Sequence, residues 1–358
     1  MRVILVTFSA SYNFGASLQA YSLQRFVETL GHNVSILDIR KEVHRPVTYF
    51  KGMKGLLFNG IIFLNRKKLD EGNRAFENFS KQYFKLTEKR FSSIESLRDH
   101  VPDTDVFLTG SDQVFNPERC DPIFYLDFVQ GDVGRVSYAA SFGREIIPEQ
   151  NEKRIAAFLQ KFSSLSVREE TGAQMIKRLT GQVAAVNIDP VFLTTKEEWR
   201  KLEREVNIGK EKYALCYCVY RPNNINRIIK EIKDVTGLKV IVIERSAHRF
   251  IANDKIFVEY GPNEFLWLID HAEFVFTTSF HGLAFSIIFN KKVKPVENPS
   301  APGRITNLLN MLGCKDRLSF TINDAWKQPG IMRDALIINE IRKSREYLAG
   351  AFENYEHT

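Results

Sequence analysis

The feature that most constrains the fold is an alternation of short apolar runs with helical segments along the chain. Residues 3–8 form an apolar run typical of a buried strand, and residues 16–30 carry apolar side chains at helical spacing. Residues 34–39 then repeat the strand pattern. A strand, a helix and a second strand in this order form a βαβ unit, in which the two strands run parallel. The chain therefore begins as an α/β protein.

Further units of the same kind continue to residue 188. The pattern predicts strands at 105–109, 136–140, 165–167 and 183–188, and helices at 152–162 and 169–179. The apolar pattern then lapses over the charged stretch 196–212, where we place a domain boundary. We expect residues 1–205 to form one doubly wound, Rossmann-like domain.

The alternation resumes after this stretch. It predicts strands at 213–220, 239–243, 256–259, 274–277 and 293–296, with helices between them. We therefore expect a second Rossmann-like domain over residues 206–332. Residues 333–358 carry apolar side chains at helical spacing and are predicted to pack back across both domains.

Composition excludes several classes of protein. With 358 residues, of which 44% are apolar, the chain can bury a large core, and its four cysteines cannot supply a disulfide framework. The first apolar run is too short for a secretory signal, and the longest apolar windows fall short of a membrane span. We expect a cytoplasmic protein. The net charge of +7 favours an anionic partner, but no nucleic-acid recognition motif is present.

Residues 46–90 break the α/β rhythm and are interpreted as an insertion. Within them, apolar residues from Leu56 to Leu64 precede the basic residues Arg66, Lys67 and Lys68. A basic amphipathic segment can rest on an anionic membrane, which would give peripheral contact at the inner face. A helix packed on its own domain or in a dimer contact is the favoured alternative, because apolar stripes are usually core.

Polar side chains cluster in the loop after the strand predicted at 105–109. Ser111, Asp112, Gln113 and Asn116 all fall at the carboxyl end of that strand, where ligands bind in open α/β sheets. Their donors and acceptors suit carbohydrate hydroxyls, and Asp112 could accept a proton from one of them. The alternative is that Asp112 and Asn116 only cap turns.

A second loop places His281 between the end of a strand and the start of a helix. Histidine titrates near neutral pH, and here Thr278, Ser279 and Gly282 flank it. We interpret His281 as a general acid that protonates carbon or assists departure of phosphate, against the alternative of a structural histidine.

Further candidates follow other predicted strands. Arg168 opens a helix and could bind a carboxylate or phosphate. Lys291, Lys292 and Arg304 flank the His281 helix, although such cations are often only solvated surface. In the first loop, Asn13 could contact a ligand or merely shape the turn, and this loop lacks both dinucleotide and P-loop fingerprints.

Taken together, these loops resemble the polysaccharide pyruvyl transferase family. The motifs that carry the resemblance, in chain order, are YNFGASLQAY at 12–21, GSDQVFN at 110–116, YAASFG at 138–143, SVRE at 166–169, DPVFL at 189–193, SFHG at 279–282 and GRITNLL at 303–309. The resemblance implies an arrangement similar to GT-B glycosyltransferases, with phosphoenolpyruvate as donor, a saccharide as acceptor and a pyruvate ketal as product. It implies no metal or organic cofactor, and no metal-ligand spacing is visible in the sequence.

The resemblance also assigns roles to residues. It makes the first domain the acceptor side and the second the donor side, with His281 and Asp112 catalytic. The predicted donor-binding residues are Arg168, Ser279, Lys292 and Arg304. The predicted acceptor-binding residues are Asn13, Ser111, Gln113 and Asn116.

One departure from the family pattern leaves alternatives open. Many members carry arginine where this chain has Ser279, so that anion contact is either missing or supplied elsewhere, by Arg168, Lys292 or Arg304. A nucleotide-sugar glycosyltransferase and a non-catalytic partner in glycan assembly are the rival functions. The acceptor sugar, its attachment to a lipid and the oligomeric state stay open.

Overall fold

The computed structural model describes residues 1–39, 53–244, 255–299, 301–331, 335–353 and 355. Within them, parallel strands form two main sheets, one in each half of the chain, and helices cover the sheets. The predicted α/β class is confirmed.

The first sheet contains the N-terminal strands in the order β2-β1-β3-β4. These strands are β1 (Arg2–Val6), β2 (Asn33–Ile36), β3 (Val106–Thr109) and β4 (Gly134–Ser137). A parallel pair, β5 (Ser166–Val167) and β6 (Ala185–Val186), continues from β4 through isolated bridges. The helices of this half are α1 (Phe14–Thr29), α2 (Met53–Tyr83), α3 (Ile94–Arg98), α4 (Glu149–Leu159), α5 (Glu170–Thr180) and α6 (Lys196–Arg200).

The second sheet has the order β11-β10-β7-β8-β9, again with parallel neighbours. Its strands are β7 (Tyr213–Tyr217), β8 (Lys239–Ile243), β9 (Lys255–Phe257), β10 (Phe274–Thr277) and β11 (Lys292–Pro295). The helices here are α7 (Ile225–Thr236), α8 (Pro262–Asp270), α9 (Phe280–Ile288), α10 (Arg304–Met311), α11 (Ile322–Lys327) and α12 (Ala335–Glu353).

Side-chain hydrogen bonds explain where two elements depart from the predicted boundaries. Strand β7 ends at Tyr217 rather than at Tyr220, and Thr278 Oγ1 accepts from the Tyr220 amide and donates to the Tyr220 carbonyl. The helix after β10 is predicted to begin at Gly282, but α9 begins at Phe280, because Ser279 Oγ caps it by accepting from the Gly282 amide.

The insertion contains the long helix α2, whose C-terminal half packs against α1 and α8. Phe76 and Phe79 are buried there. A Cβ added at Gly261 would lie only 2.8 Å from the Ala75 Cβ, so glycine allows α2 to pass close to the start of α8. The interpretation as a packed helix therefore holds for this part. Side chains of residues 53–65 lie outside the described set, so a membrane role for the apolar stretch stays a prediction.

Helix α12 is attached to the first half of the chain by hydrogen bonds. Ser344 Oγ accepts from the Ile188 amide, and Tyr347 donates its hydroxyl to the Ser137 carbonyl. The domain boundaries predicted near 205 and 332 stay a prediction. Among the described helices, none combines the length and apolarity that crossing a bilayer requires.

An aromatic cluster joins α1 to the second half of the chain. The Phe14 ring stacks on Phe265 of α8 at 4.6 Å between centroids and meets Tyr217 edge-on at 5.7 Å. Phe14 also contacts Phe76 of α2 at 5.0 Å, so one side chain links three elements. Such pairs add to the free energy gained by burying the rings themselves.

Phe14→Ala is expected to destabilise the protein by about 3–5 kcal/mol, the usual cost of deleting a fully buried phenylalanine ring. Denaturant unfolding followed by circular dichroism measures the change. Ile146→Ala is the matched control, because Ile146 is 80% exposed and should change stability by less than about 0.5 kcal/mol. Equal unfolding midpoints for both variants would contradict the assigned role of Phe14.

Candidate active site

The carboxyl ends of strands from both sheets meet at one cleft. In each sheet this is the switch point of the strand order, between β1 and β3 in the first and between β7 and β10 in the second. Open α/β sheets bind ligands at such points. A cavity of about 340 Å³, the cleft cavity, opens there, and its walls include Asn13, Asp112, Gln113, Ser279, His281 and Arg304.

Three helices direct their N-termini at the cleft cavity. Asn13 caps α1 by accepting from the Ala16 amide, and Ser279 caps α9. Gly303, in the left-handed region at φ +83°, precedes α10, which begins with Arg304. Unpaired amides and the positive ends of helix dipoles favour an anion at this position.

His281 lies in the first turn of α9 and is only 5% exposed. Its Nε2 is 3.6 Å from Oδ2 of Asp189, which comes from the first half of the chain. A Cβ on Gly15 would lie 2.0 Å from His281 Nδ1, so glycine at this place in α1 makes room for the ring. The imidazole is thus fixed between α1 and Asp189.

Asp189 is fully buried, and the side chains of Arg168 and His281 both approach it. Arg168 Nη1 donates to Asp189 Oδ2 at 2.7 Å, on the same oxygen that His281 approaches. Burial raises the pKa of Asp189, but the charge of His281 and the charge and hydrogen bond of Arg168 outweigh it, so the pKa lies well below its ordinary value. Asp189 is therefore ionised at neutral pH.

Arg168 lies behind this pair rather than in the wall of the cleft cavity. Its Nε donates to Glu169 Oε1 at 3.0 Å, and its guanidinium lies 4.1 Å from the centroid of the Phe280 ring. Although burial lowers the pKa of Arg168, Glu169 and Asp189 raise it above its ordinary value. Within the described part of the chain, Nη2 has no hydrogen-bond partner. The structure thus brings Arg168 and His281 to one carboxylate, as a buried ion-pair network.

Asp112 and Arg304 form a second ion pair across the cleft. Arg304 Nη2 donates to Asp112 Oδ1 at 3.1 Å. Asp112 has φ +64°, a backbone conformation that non-glycine residues rarely adopt and that is often found at functional sites. Burial raises the pKa of Asp112, but Arg304, His281 and Arg168 hold it below its ordinary value. Asp112 is a weak base for as long as Arg304 stays beside it.

Arg304 is the cation best placed to receive a ligand in the cleft cavity. It opens α10, and its guanidinium lies 5.4 Å from the Phe280 ring centroid. Its Nε is buried without a hydrogen-bond partner among the described residues. Burial and the neighbouring charge of Arg168 both lower its pKa, so an added anion is favourable here.

Besides Arg168, three more of the predicted binding residues lie outside the walls of the cleft cavity. Ser111 is fully buried, and its hydroxyl donates to the Ala139 carbonyl. Asn116 caps a turn by accepting from the amides of residues 118 and 119, which is the alternative left open above. Lys292 lies at the amino end of β11, whereas the cleft is at the carboxyl ends of the strands. Its ammonium lies over the Trp326 ring.

Other residues of the cleft were missed by sequence reasoning. Asp189 follows a predicted strand, and the rule that selected His281 would have selected it as well. Arg119 lines the cavity but sits in an irregular segment without a recognisable pattern. Phe280, which contacts both arginines, looks in the sequence like an ordinary core residue.

Comparison with known proteins is consistent with this architecture. A family model described as polysaccharide pyruvyl transferase matches residues 13–299. No curated protein sequence matches the chain significantly.

Solved structures share the fold at low sequence identity. UDP-N-acetylglucosamine 2-epimerase from Rickettsia bellii has a TM-score of 0.59 at 10% identity, covering 99% of this chain and 96% of that one. The UDP-GlcNAc 2-epimerase from Methanocaldococcus jannaschii, in complex with UDP-GlcNAc and UDP, has a TM-score of 0.54 at 16% identity, covering 97% and 99%. The expected GT-B-like arrangement of two Rossmann-like halves is confirmed.

Asp189→Asn is expected to destabilise the protein by about 3–5 kcal/mol at pH 7, because it leaves Arg168 buried with one partner fewer. The folded-state pKa of Asp189 is lowered, so its contribution is present at neutral pH and is lost as the pH falls below about 4. Unfolding midpoints measured between pH 7 and pH 3 should therefore fall less steeply for the variant. Asp132→Asn, at an exposed carboxylate, is the control, and identical profiles for both variants would contradict the assignment.

Proposed function

This chain belongs to the polysaccharide pyruvyl transferase family, and on that premise we propose that it transfers the pyruvyl group of phosphoenolpyruvate to a saccharide. The proposed product is a pyruvate ketal that bridges two sugar hydroxyls in a surface polysaccharide, and the proposed location is the cytoplasm. The observation that carries the proposal is the cleft cavity, where three helix N-termini, Arg304 and His281 converge. No further cofactor is part of the proposal.

The cleft cavity suits a small, multiply charged anion. Its volume of about 340 Å³ is near the lower end for ligand sites, and phosphoenolpyruvate carries a phosphate and a carboxylate on three carbons. Arg304 reaches the cavity from α10, and Arg119 is a second arginine that lines it. We assign the anion contact that Ser279 cannot make to Arg304, while Ser279 orients α9 through its cap.

The proposed chemistry balances without another reactant. His281 donates a proton to the methylene carbon of phosphoenolpyruvate, which makes the adjacent carbon electrophilic. One acceptor hydroxyl adds to that carbon, and a second displaces phosphate to close the ketal. Of the two hydroxyl protons released, one restores His281 and the other leaves with inorganic phosphate. Asp189 stabilises the imidazolium before each transfer.

Asp112 becomes a better base when the donor binds. An anion in the cleft cavity attracts Arg304, which weakens the 3.1 Å contact that now holds the pKa of Asp112 low. With that charge drawn toward the donor, Asp112 can accept the proton of an acceptor hydroxyl and pass it to the departing phosphate. The ion pair would thus couple donor binding to activation of the acceptor.

His281→Gln is expected to reduce turnover by about 10²- to 10⁴-fold, the usual contribution of a positioned acid or base. The measurement is release of phosphate from phosphoenolpyruvate in the presence of a glycan panel, with product masses determined. Circular dichroism checks that the variant stays folded. Unchanged turnover would remove His281 from the mechanism, and release of nucleotide from sugar nucleotides in place of phosphate would favour a glycosyltransferase.

Arg304→Lys keeps the charge but loses the planar fork, so the KM for phosphoenolpyruvate should rise about 10- to 100-fold, equivalent to one charged hydrogen bond. Arg342→Lys, on the exposed surface of α12, is the matched control and should leave KM unchanged. Steady-state kinetics with varied phosphoenolpyruvate measures both. An unaltered KM in Arg304→Lys would place the donor elsewhere.

A further inference from the structure

A second and larger cavity adjoins the cleft cavity on the first half of the chain. This side groove, of about 890 Å³, runs between the loop after β1, the C-terminal half of α2 and the segment 119–124. Phe8, Ser11 and Arg119 line both cavities. A molecule lying in the side groove can therefore extend directly into the cleft cavity.

The walls of the side groove combine aromatic rings with hydroxyl and carboxylate groups. Phe8 meets Phe124 edge-on at 4.5 Å, and Tyr12 packs on Phe76 at 6.0 Å. Tyr12 donates its hydroxyl to Glu77 Oε1 at 3.0 Å, so a carboxylate lies beside the rings. Apolar walls with a few directional polar groups are typical of small-molecule sites, and they match the apolar faces and hydroxyl edges of sugars.

An unpartnered hydroxyl marks the junction of the two cavities. Ser11 Oγ is buried and has no hydrogen-bond partner in the described ranges. Leaving a buried polar atom unpaired costs free energy, so an oxygen supplied by a ligand is favourable at this point. Arg119, whose guanidinium lies 6.0 Å from the Phe8 ring centroid, stands at the same junction.

From these observations we propose that the side groove binds the acceptor as an oligosaccharide, with its reactive pair of hydroxyls passing Ser11 into the cleft cavity. This inference rests on the proposed function for the identity of the acceptor. The volume is near the upper end for small-molecule sites, which gives room for more than one sugar ring. Because the groove carries both acidic and basic side chains, Glu77 and Asp121 against Arg90 and Arg119, it suits a saccharide without high net charge.

The charged groups at the groove also argue against a long lipid chain as its main occupant. Arg90 is exposed and forms an ion pair with Asp38 at 3.0 Å beside the groove. An alkyl chain laid along this wall would desolvate that pair and the hydroxyls of Ser9 and Ser80 without replacing their hydrogen bonds. The hydroxyls of a saccharide can replace those hydrogen bonds.

Filling the side groove tests this assignment without touching the cleft cavity. Ala10 is exposed and Ser80 is half-buried, and both line the side groove but not the cleft cavity. Ala10→Trp and Ser80→Trp should each weaken oligosaccharide binding at least 10-fold, measured by saturation-transfer NMR with the glycan panel. Binding of phosphoenolpyruvate, measured by calorimetry, should change less than 2-fold. Val183→Trp, at a surface residue that is 81% exposed, controls for the added bulk.

The outcomes separate this inference from the proposed function. The inference is overturned if saccharide binding survives in both groove variants. It is also overturned if the wild-type protein binds no saccharide of the panel. Binding of polyprenyl phosphate vesicles that is lost in the variants, without binding of free saccharides, also overturns it and makes the occupant a lipid. Absence of phosphoenolpyruvate binding with intact saccharide binding would instead overturn the donor assignment and leave the acceptor groove standing.

Discussion

The buried carboxylate of Asp189 is the group on which the arrangement of the cleft depends. Removing a carboxylate from water is costly unless cations and hydrogen bonds replace the lost hydration. Here Arg168 from the same half of the chain and His281 from the other half both approach one oxygen of Asp189. The contact with His281 forms only when the two halves meet in a defined register, and that register fixes the imidazole in the cleft.

The fold around this contact creates a site for anions in the cleft. Because both sheets are parallel, their carboxyl ends face the cleft, and the helices that follow present their N-termini to it. The caps of Asn13 and Ser279 leave neighbouring amides available while holding the first turns in place. Arg304 pairs with Asp112 and also lines the cleft cavity, so we propose that an anion bound there competes with Asp112 for this guanidinium.

Packing between the halves connects the cleft to the side groove. Phe14 joins α1 to α8 and α2, and α2 in turn supplies Phe76 and Glu77 to the groove wall. The helix that interrupts the α/β rhythm is thus both a core element and a wall of a cavity. Two cavities of different size and polarity are joined at Phe8 and Ser11, and we propose the smaller for the donor and the larger for the acceptor.

From the sequence one can predict the α/β class, the order of the elements and the placement of His281 and Asp112 at strand ends, and the motifs indicate the family. The fold predictions follow from local periodicity and from the rule that ligands bind where parallel strands end. The three-dimensional structure was needed to show that Asp189 pairs with His281, that Arg304 faces Asp112, and that Ser111, Asn116 and Lys292 lie outside the cleft cavity. The reason is physical: contacts between residues far apart in the chain depend on how two sheets dock, and periodicity within one segment carries no information about docking.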